Sequence, residues 1–127
     1  ETIVAFDKIR NHFGMARISV AAALAALKDQ AYLASVLGKI EASRQRIGAI
    51  ARTNGFEPLP SATNFVAVDC GRDGEYARAI VNRLGERSVF IRMPSVAPLN
   101  RCIRISTGTE ADMTLLEETL PEVLKTL

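Results

Sequence analysis

Arg101-Cys102-Ile103-Arg104-Ile105-Ser106-Thr107-Gly108-Thr109-Glu110 reads as a short strand that ends in a glycine turn and opens a helix. Side chains alternate across a strand, so Ile103 and Ile105 share one face while Cys102, Arg104 and Ser106 share the other. The isoleucine face suits a core, which aims Arg104 at whatever lies on the far side. An arginine on a rigid strand offers a planar fork that fits a carboxylate or phosphate bidentately. Spacing alone also allows a solvated strand-end charge, the commoner fate of arginine. Thr109 followed by Asp112 has the spacing of a helix N-cap.

Beyond Glu110, Met113, Leu116, Leu120, Val123, Leu124 and Leu127 make one helical stripe. Pro121 removes one backbone bond there and is expected to kink or split the helix. On the other side, Met93 to Asn100 carries Pro94 and Pro98 and reads as a loop. Ser88-Val89-Phe90-Ile91-Arg92 precedes it as a second strand, close enough to pair antiparallel with the Arg104 strand. Tyr76, Ala77, Ile80, Val81 and Leu84 form an amphipathic helix, opened by Asp73 and closed by Gly85. Asn64 to Cys70 is rich in strand formers, and Phe56 to Thr63, with Pro58 and Pro60, is expected to be loop.

Residues 30 to 53 give the longest helix, with Leu33, Val36, Leu37, Ile40, Ile47, Ile50 and Ala51 on one stripe and Asn54-Gly55 as its stop. Residues 16 to 28 are an alanine-rich helix, apolar nearly all round and expected to be buried on more than one side. Ile3, Val4, Phe6 and Ile9 continue a helical spacing at the start, before a loop at Asn11-His12-Phe13-Gly14. The expected architecture is α/β (α+β): one domain over residues 1–127, with a small mixed sheet of about three to four strands packed by helices.

Composition narrows the function. The chain has 127 residues, 48% hydrophobic and 24% charged, with a net charge of +2. So small an excess does not argue for nucleic acid or an anionic membrane surface. Arg44, Arg46 and Arg52 cluster on the long helix but lack the aromatic platforms of a nucleic-acid site. No run of 18 apolar residues and no signal peptide is visible. Cys70 and Cys102 read as free thiols, as in a reducing cytoplasm. No zinc, dinucleotide, phosphate-loop or serine-hydrolase motif is present. His12, the lone histidine, has no visible metal or nucleophile partner. Anion-binding chemistry remains, with Arg92 at the end of one strand and Arg104 inside the next.

Asn64-Phe65-Val66-Ala67-Val68, a helix, Val89-Phe90-Ile91-Arg92 and then Cys102 to Glu110 resembles the carboxy-terminal part of histidinol-phosphate aminotransferases, of the fold type I, pyridoxal-phosphate-dependent class. Arg10-Asn11-His12-Phe13-Gly14 and the alanine-rich helix resemble that family's link into its long interdomain helix. The resemblance implies an aminotransferase small domain. It implies that Arg104 binds the α-carboxylate of an amino acid or keto acid substrate, and that Arg92 lies near the distal group, a phosphate in histidinol phosphate. It also implies a homodimer whose cofactor site is built at the subunit boundary. The family's Schiff-base lysine sits in a Ser-x-x-Lys context upstream of the matched part. Lys8, Lys28, Lys39 and Lys125 do not match that context, so this segment should hold no catalytic residue and should be inactive alone. The rival expectation is a stand-alone, non-catalytic α/β module that binds a small anion or a partner protein.

Overall fold

The computed structural model describes residues 2–9 and 14–127. The resemblance at Arg10 to Phe13, and His12 with it, lies outside the described residues. The chain divides into two compact units, Glu1–Val36 and Leu37–Leu127.

The first unit contains α1 (Thr2–Ile9), α2 (Arg17–Lys28) and the start of α3 (Gln30–Thr53). The alanine-rich sequence folds as the helix its propensity favours. Burial differs from expectation: α2 has no buried residue, and Ile18 and Leu24 are exposed along with Phe6 and Ile9 of α1. Among the described residues, α1 and α2 leave this apolar surface exposed.

The second unit carries the sheet and the core. At the end of α3, Gly55 turns left-handed at φ +78°. Gly55 N donates to Arg52 O and Phe56 N to Ala51 O. This paired closure satisfies the last carbonyls and tucks Phe56 into the core. Phe56 to Thr63, expected as loop, instead contains β1 (Glu57–Pro58), which pairs antiparallel with β2 (Phe65–Asp69). Proline is tolerated there because β1 is an edge strand. The β1–β2–β3 order places β2 centrally, with β3 (Cys102–Ser106) antiparallel to it. The sheet expected to be mixed is therefore antiparallel in its three strands.

Ser88 to Arg92, expected as a strand, pairs only at Arg92. The preceding residues close α4 (Gly74–Gly85). Ser88 is left-handed at φ 63°, its N–H donates to Gly85 O, and Val89 N donates to Leu84 O. A non-glycine residue there repeats the closure seen after α3, and this consumes the chain that would otherwise extend a ladder. A short 3-10 turn at Leu99–Arg101 leads into β3.

Asp73 caps α4 by accepting from Tyr76 N at 2.9 Å. Thr109 and Asp112 form a full capping box at the start of α5 (Glu110–Leu124). Helix α5 runs through Pro121 without splitting, and Lys125 N still reaches Pro121 O at 3.2 Å. The lost bond lies near the helix end, where Leu120 and Val123 are buried and hold the last turn. The core joins Ile47, Ile50 and Ala51 of α3, Ile80 and Leu84 of α4, and Met113, Leu116 and Leu120 of α5 to Val66, Val68, Ile103 and Ile105 of the sheet. The helices thus cover one face of the sheet, as alternation in β2 and β3 requires.

Candidate functional site

The β2–β3 register divides the sheet residues into two faces. Val66 opposes Ile105 and Val68 opposes Ile103, and all four are buried. On the other face, Phe65 opposes Ser106, Ala67 opposes Arg104 and Asp69 opposes Cys102. Arg92 joins this second face. Arg104 N donates to Arg92 O at 2.6 Å and Arg92 N donates to Arg104 O at 3.2 Å. Residues that exchange both bonds are directly opposed in an antiparallel pair, with side chains on the same side. The two arginines singled out from sequence are therefore neighbours on one sheet face, Arg104 half-buried and Arg92 exposed.

Arg104 is positioned from below. Its guanidinium carbon lies 4.9 Å from the centroid of the Phe65 ring, on a cross-strand diagonal. The ring's negative face attracts the cation. Its opposite neighbour Ala67 is small and leaves room above. Like charges directly across a ladder repel each other. Among the described residues, neither Arg92 nor Arg104 has a carboxylate partner. The face therefore presents two adjacent cations without an internal counter-ion.

The acid on this face, Asp69, is already engaged. Arg101 Nε donates to Asp69 Oδ1 at 2.9 Å and its Nη2 lies 2.7 Å from Oδ2. Gly71 N adds a third bond at 2.8 Å. Hydrogen bonding from Arg101, and then from Gly71, lowers the Asp69 pKa below the ordinary carboxylate value, and the same pairing raises that of Arg101. Arg101 had no role assigned from sequence. Its position next to the strand gave no sign that it would reach across to β2.

The turn after Arg104 is tied down on both sides. Thr107 donates to Asn64 O through its backbone N at 2.9 Å and through Oγ1 at 3.1 Å. Gly108 N donates to the buried Ser43 Oγ of α3 at 3.1 Å. Arg46 fastens α3 to α5 by pairing with Glu110 at 2.8 Å and Glu117 at 2.7 Å, and by donating to Thr114 at 2.9 Å. Arg44 pairs with Glu41 and donates to Thr63 O. Two of the three arginines that could suggest a nucleic-acid patch are thus spent on internal contacts.

An open cleft of about 430 Å³ lies between α3 and the β1 edge, away from the arginine pair. Its charged lining includes Glu41 and Arg44, which pair with each other. Cys70 and Cys102 are free and buried. Burial pushes the Cys70 thiol up to about 11 and raises Cys102 too, so neither is an activated nucleophile. Among the described residues, no group of acids, histidines or cysteines could hold a metal ion. Lys8, Lys28 and Lys39 stand exposed on helices and Lys125 is exposed just past α5, and the strands that carry the arginine pair contain no lysine.

A family model described as aminotransferase class I and II matches residues 1–120. The chain is 40% identical over 114 residues to the histidinol-phosphate aminotransferase of Geotalea daltonii, covering 89% of this chain and 32% of that protein. It is 37% identical over 122 residues to the enzyme of the same name from Geobacter sulfurreducens, covering 95% of this chain and 34% of the relative. Among solved structures, the histidinol-phosphate aminotransferase of Sinorhizobium meliloti in complex with pyridoxal-5'-phosphate superposes with a TM-score of 0.88 at 68% identity, covering 96% of this chain and 34% of that one. The chain spans about a third of the length of the relatives it matches. With the family model spanning nearly all of it, the chain belongs to the class I and II aminotransferase family.

Proposed function

We propose that this chain is the substrate-anchoring small domain, residues 1–127, of a pyridoxal-phosphate-dependent aminotransferase of the histidinol-phosphate type. The single observation that carries the proposal is the reciprocal Arg92–Arg104 pairing, which sets two cations side by side without a carboxylate partner among the described residues. Arg104 binds the α-carboxylate of an amino acid or keto acid. Half-buried and seated on Phe65, it holds its planar fork still, which favours bidentate pairing with a carboxylate. Arg92 is more exposed and takes the distal anionic group, a phosphate when histidinol phosphate is the substrate. Both hold the substrate at its ends and orient the bonds between them, a contribution to rate through positioning.

This segment alone does not hold the cofactor, because Lys8, Lys28, Lys39 and Lys125 all lack the Ser-x-x-Lys context of a Schiff-base lysine. Pyridoxal phosphate is held by the rest of the polypeptide, and the complete enzyme works as a cytoplasmic homodimer. The test compares the segment with the complete polypeptide. The complete protein transaminates an amino acid. The segment alone has no transaminase activity and gives no internal Schiff-base absorbance with pyridoxal phosphate. A stoichiometric, borohydride-stable adduct on one lysine of the segment would overturn this division of labour.

A further inference from the structure

We infer that Arg101 is a positioning residue that keeps Arg104 available to substrate by occupying Asp69; this rests on the carboxylate-anchoring reading of Arg104. Asp69 and Phe65 lie on the same sheet face, two residues to either side of Ala67, which opposes Arg104. Arg104 therefore has two cross-strand diagonals, and both are within reach of a long side chain. One leads to the Phe65 ring, where the guanidinium rests at 4.9 Å. The other leads to Asp69, the acid on this face nearest to Arg104 in register. A free carboxylate there would compete directly with the substrate carboxylate for the same fork.

Arg101 prevents that competition. It closes on both Asp69 oxygens, with contacts of 2.9 and 2.7 Å, while Gly71 N takes a further site at 2.8 Å. Arg101 ends the 3-10 turn just before β3, so its backbone is fixed beside the strand. From there its fork reaches Asp69. The acid is neutralised locally, and the arginine face stays cationic.

A mutant cycle in the complete aminotransferase tests this inference. Arg101→Gln releases Asp69, and KM for a carboxylate-bearing amino acid should rise about two- to fivefold, the factor for an exposed ion pair, with kcat nearly unchanged. Asp69→Asn alone should leave KM at the wild-type value, because that acid was already occupied. The double variant should return KM to wild type. If Arg101→Gln does not fold, Arg101→Lys should give a smaller rise in the same direction with the same rescue. A KM that stays raised in the double variant would mark a purely structural role and overturn the inference. Equal and opposite shifts in the two single variants, additive in the double, would mark a general field effect and also overturn it. Arg104→Lys run in parallel separates the two levels. If it impairs binding while Arg101→Gln does nothing, this inference alone fails; if it leaves KM unchanged, the anchoring reading fails and this inference with it.

Discussion

Replacing Gly108 by alanine probes the turn that delivers the Arg104 strand into α5. Gly108 is not left-handed, so its need for glycine is steric. A Cβ built there lies 2.8 Å from Asp112 Cβ, 3.0 Å from Asp112 Oδ2 and 3.2 Å from Met113 Cε. The closest of these atoms is not the free end of a flexible side chain. Asp112 is held in the capping box, where its Oδ2 accepts from Thr109 N at 2.8 Å and from Thr109 Oγ1 at 2.7 Å. Met113 is buried in the core. Relief therefore shifts the first turn of α5. Loss of the cap costs about 1 kcal/mol. Crowding a packed site adds roughly 1–3 kcal/mol. The expected destabilisation is about 2–4 kcal/mol, or about 8–16 °C in melting temperature for a domain of this size. Urea unfolding followed by circular dichroism measures it. Gly38→Ala is the control. It sits inside α3 where a Cβ meets nothing within 4 Å. That change should stabilise by up to about 1 kcal/mol. A Gly108→Ala variant within about half a kcal/mol of wild type would refute the packing argument.

Acid should weaken the fold through Asp69. Its pKa is lowered in the folded state, so its stabilisation is present above the ordinary carboxylate value near 3.9 and is lost as pH falls through the lowered one. Asp69→Asn should flatten the acid limb of stability against pH without abolishing it, since Asp112 and Glu122 are lowered too; an unchanged slope would contradict this. Cys70 and Cys102 should resist thiol reagents at pH 8 until denaturant is added, because burial raises both pKa values; fast labelling of the native chain would count against it. The exposed apolar residues of α1 and α2 should make the isolated segment self-associate, and a monomer in sedimentation at high concentration would argue otherwise.

Much of this was legible because local chemistry and packing agree. Ile103 and Ile105 alternate with Arg104, and the structure puts the isoleucines in the core and the arginine on the other face. Thr109 and Asp112 cap α5 as their spacing requires. Asn54-Gly55 stops α3 through a left-handed glycine. Most of the misses depend on a partner distant in sequence, and one on a local helix closure. Pro58 reads as loop because proline opposes strands, but β2 supplies a ladder that an edge position can use. Ser88 to Ile91 has strand composition, but helix closure at Leu84 and Gly85 claims its first bonds. Arg46 reads as a solvated charge until α5, 64 residues away, supplies Glu110. Arg101 has the same character, because its partner is 32 residues upstream. The neighbouring positions of Arg92 and Arg104 were anticipated as strand neighbours; their reciprocal register was not, because strand order does not set which residues oppose.

Arg104→Lys in the complete enzyme tests the central claim most directly. Lysine keeps the charge but loses the planar fork that matches a carboxylate. The anchoring account predicts a loss of about 2–4 kcal/mol in transition-state binding, roughly 30- to 1000-fold in kcat/KM for a carboxylate-bearing donor. The loss should be smaller for a substrate that presents another anion there, and cofactor absorbance should barely change. Wild-type kcat/KM with the carboxylate-bearing donor would contradict the account.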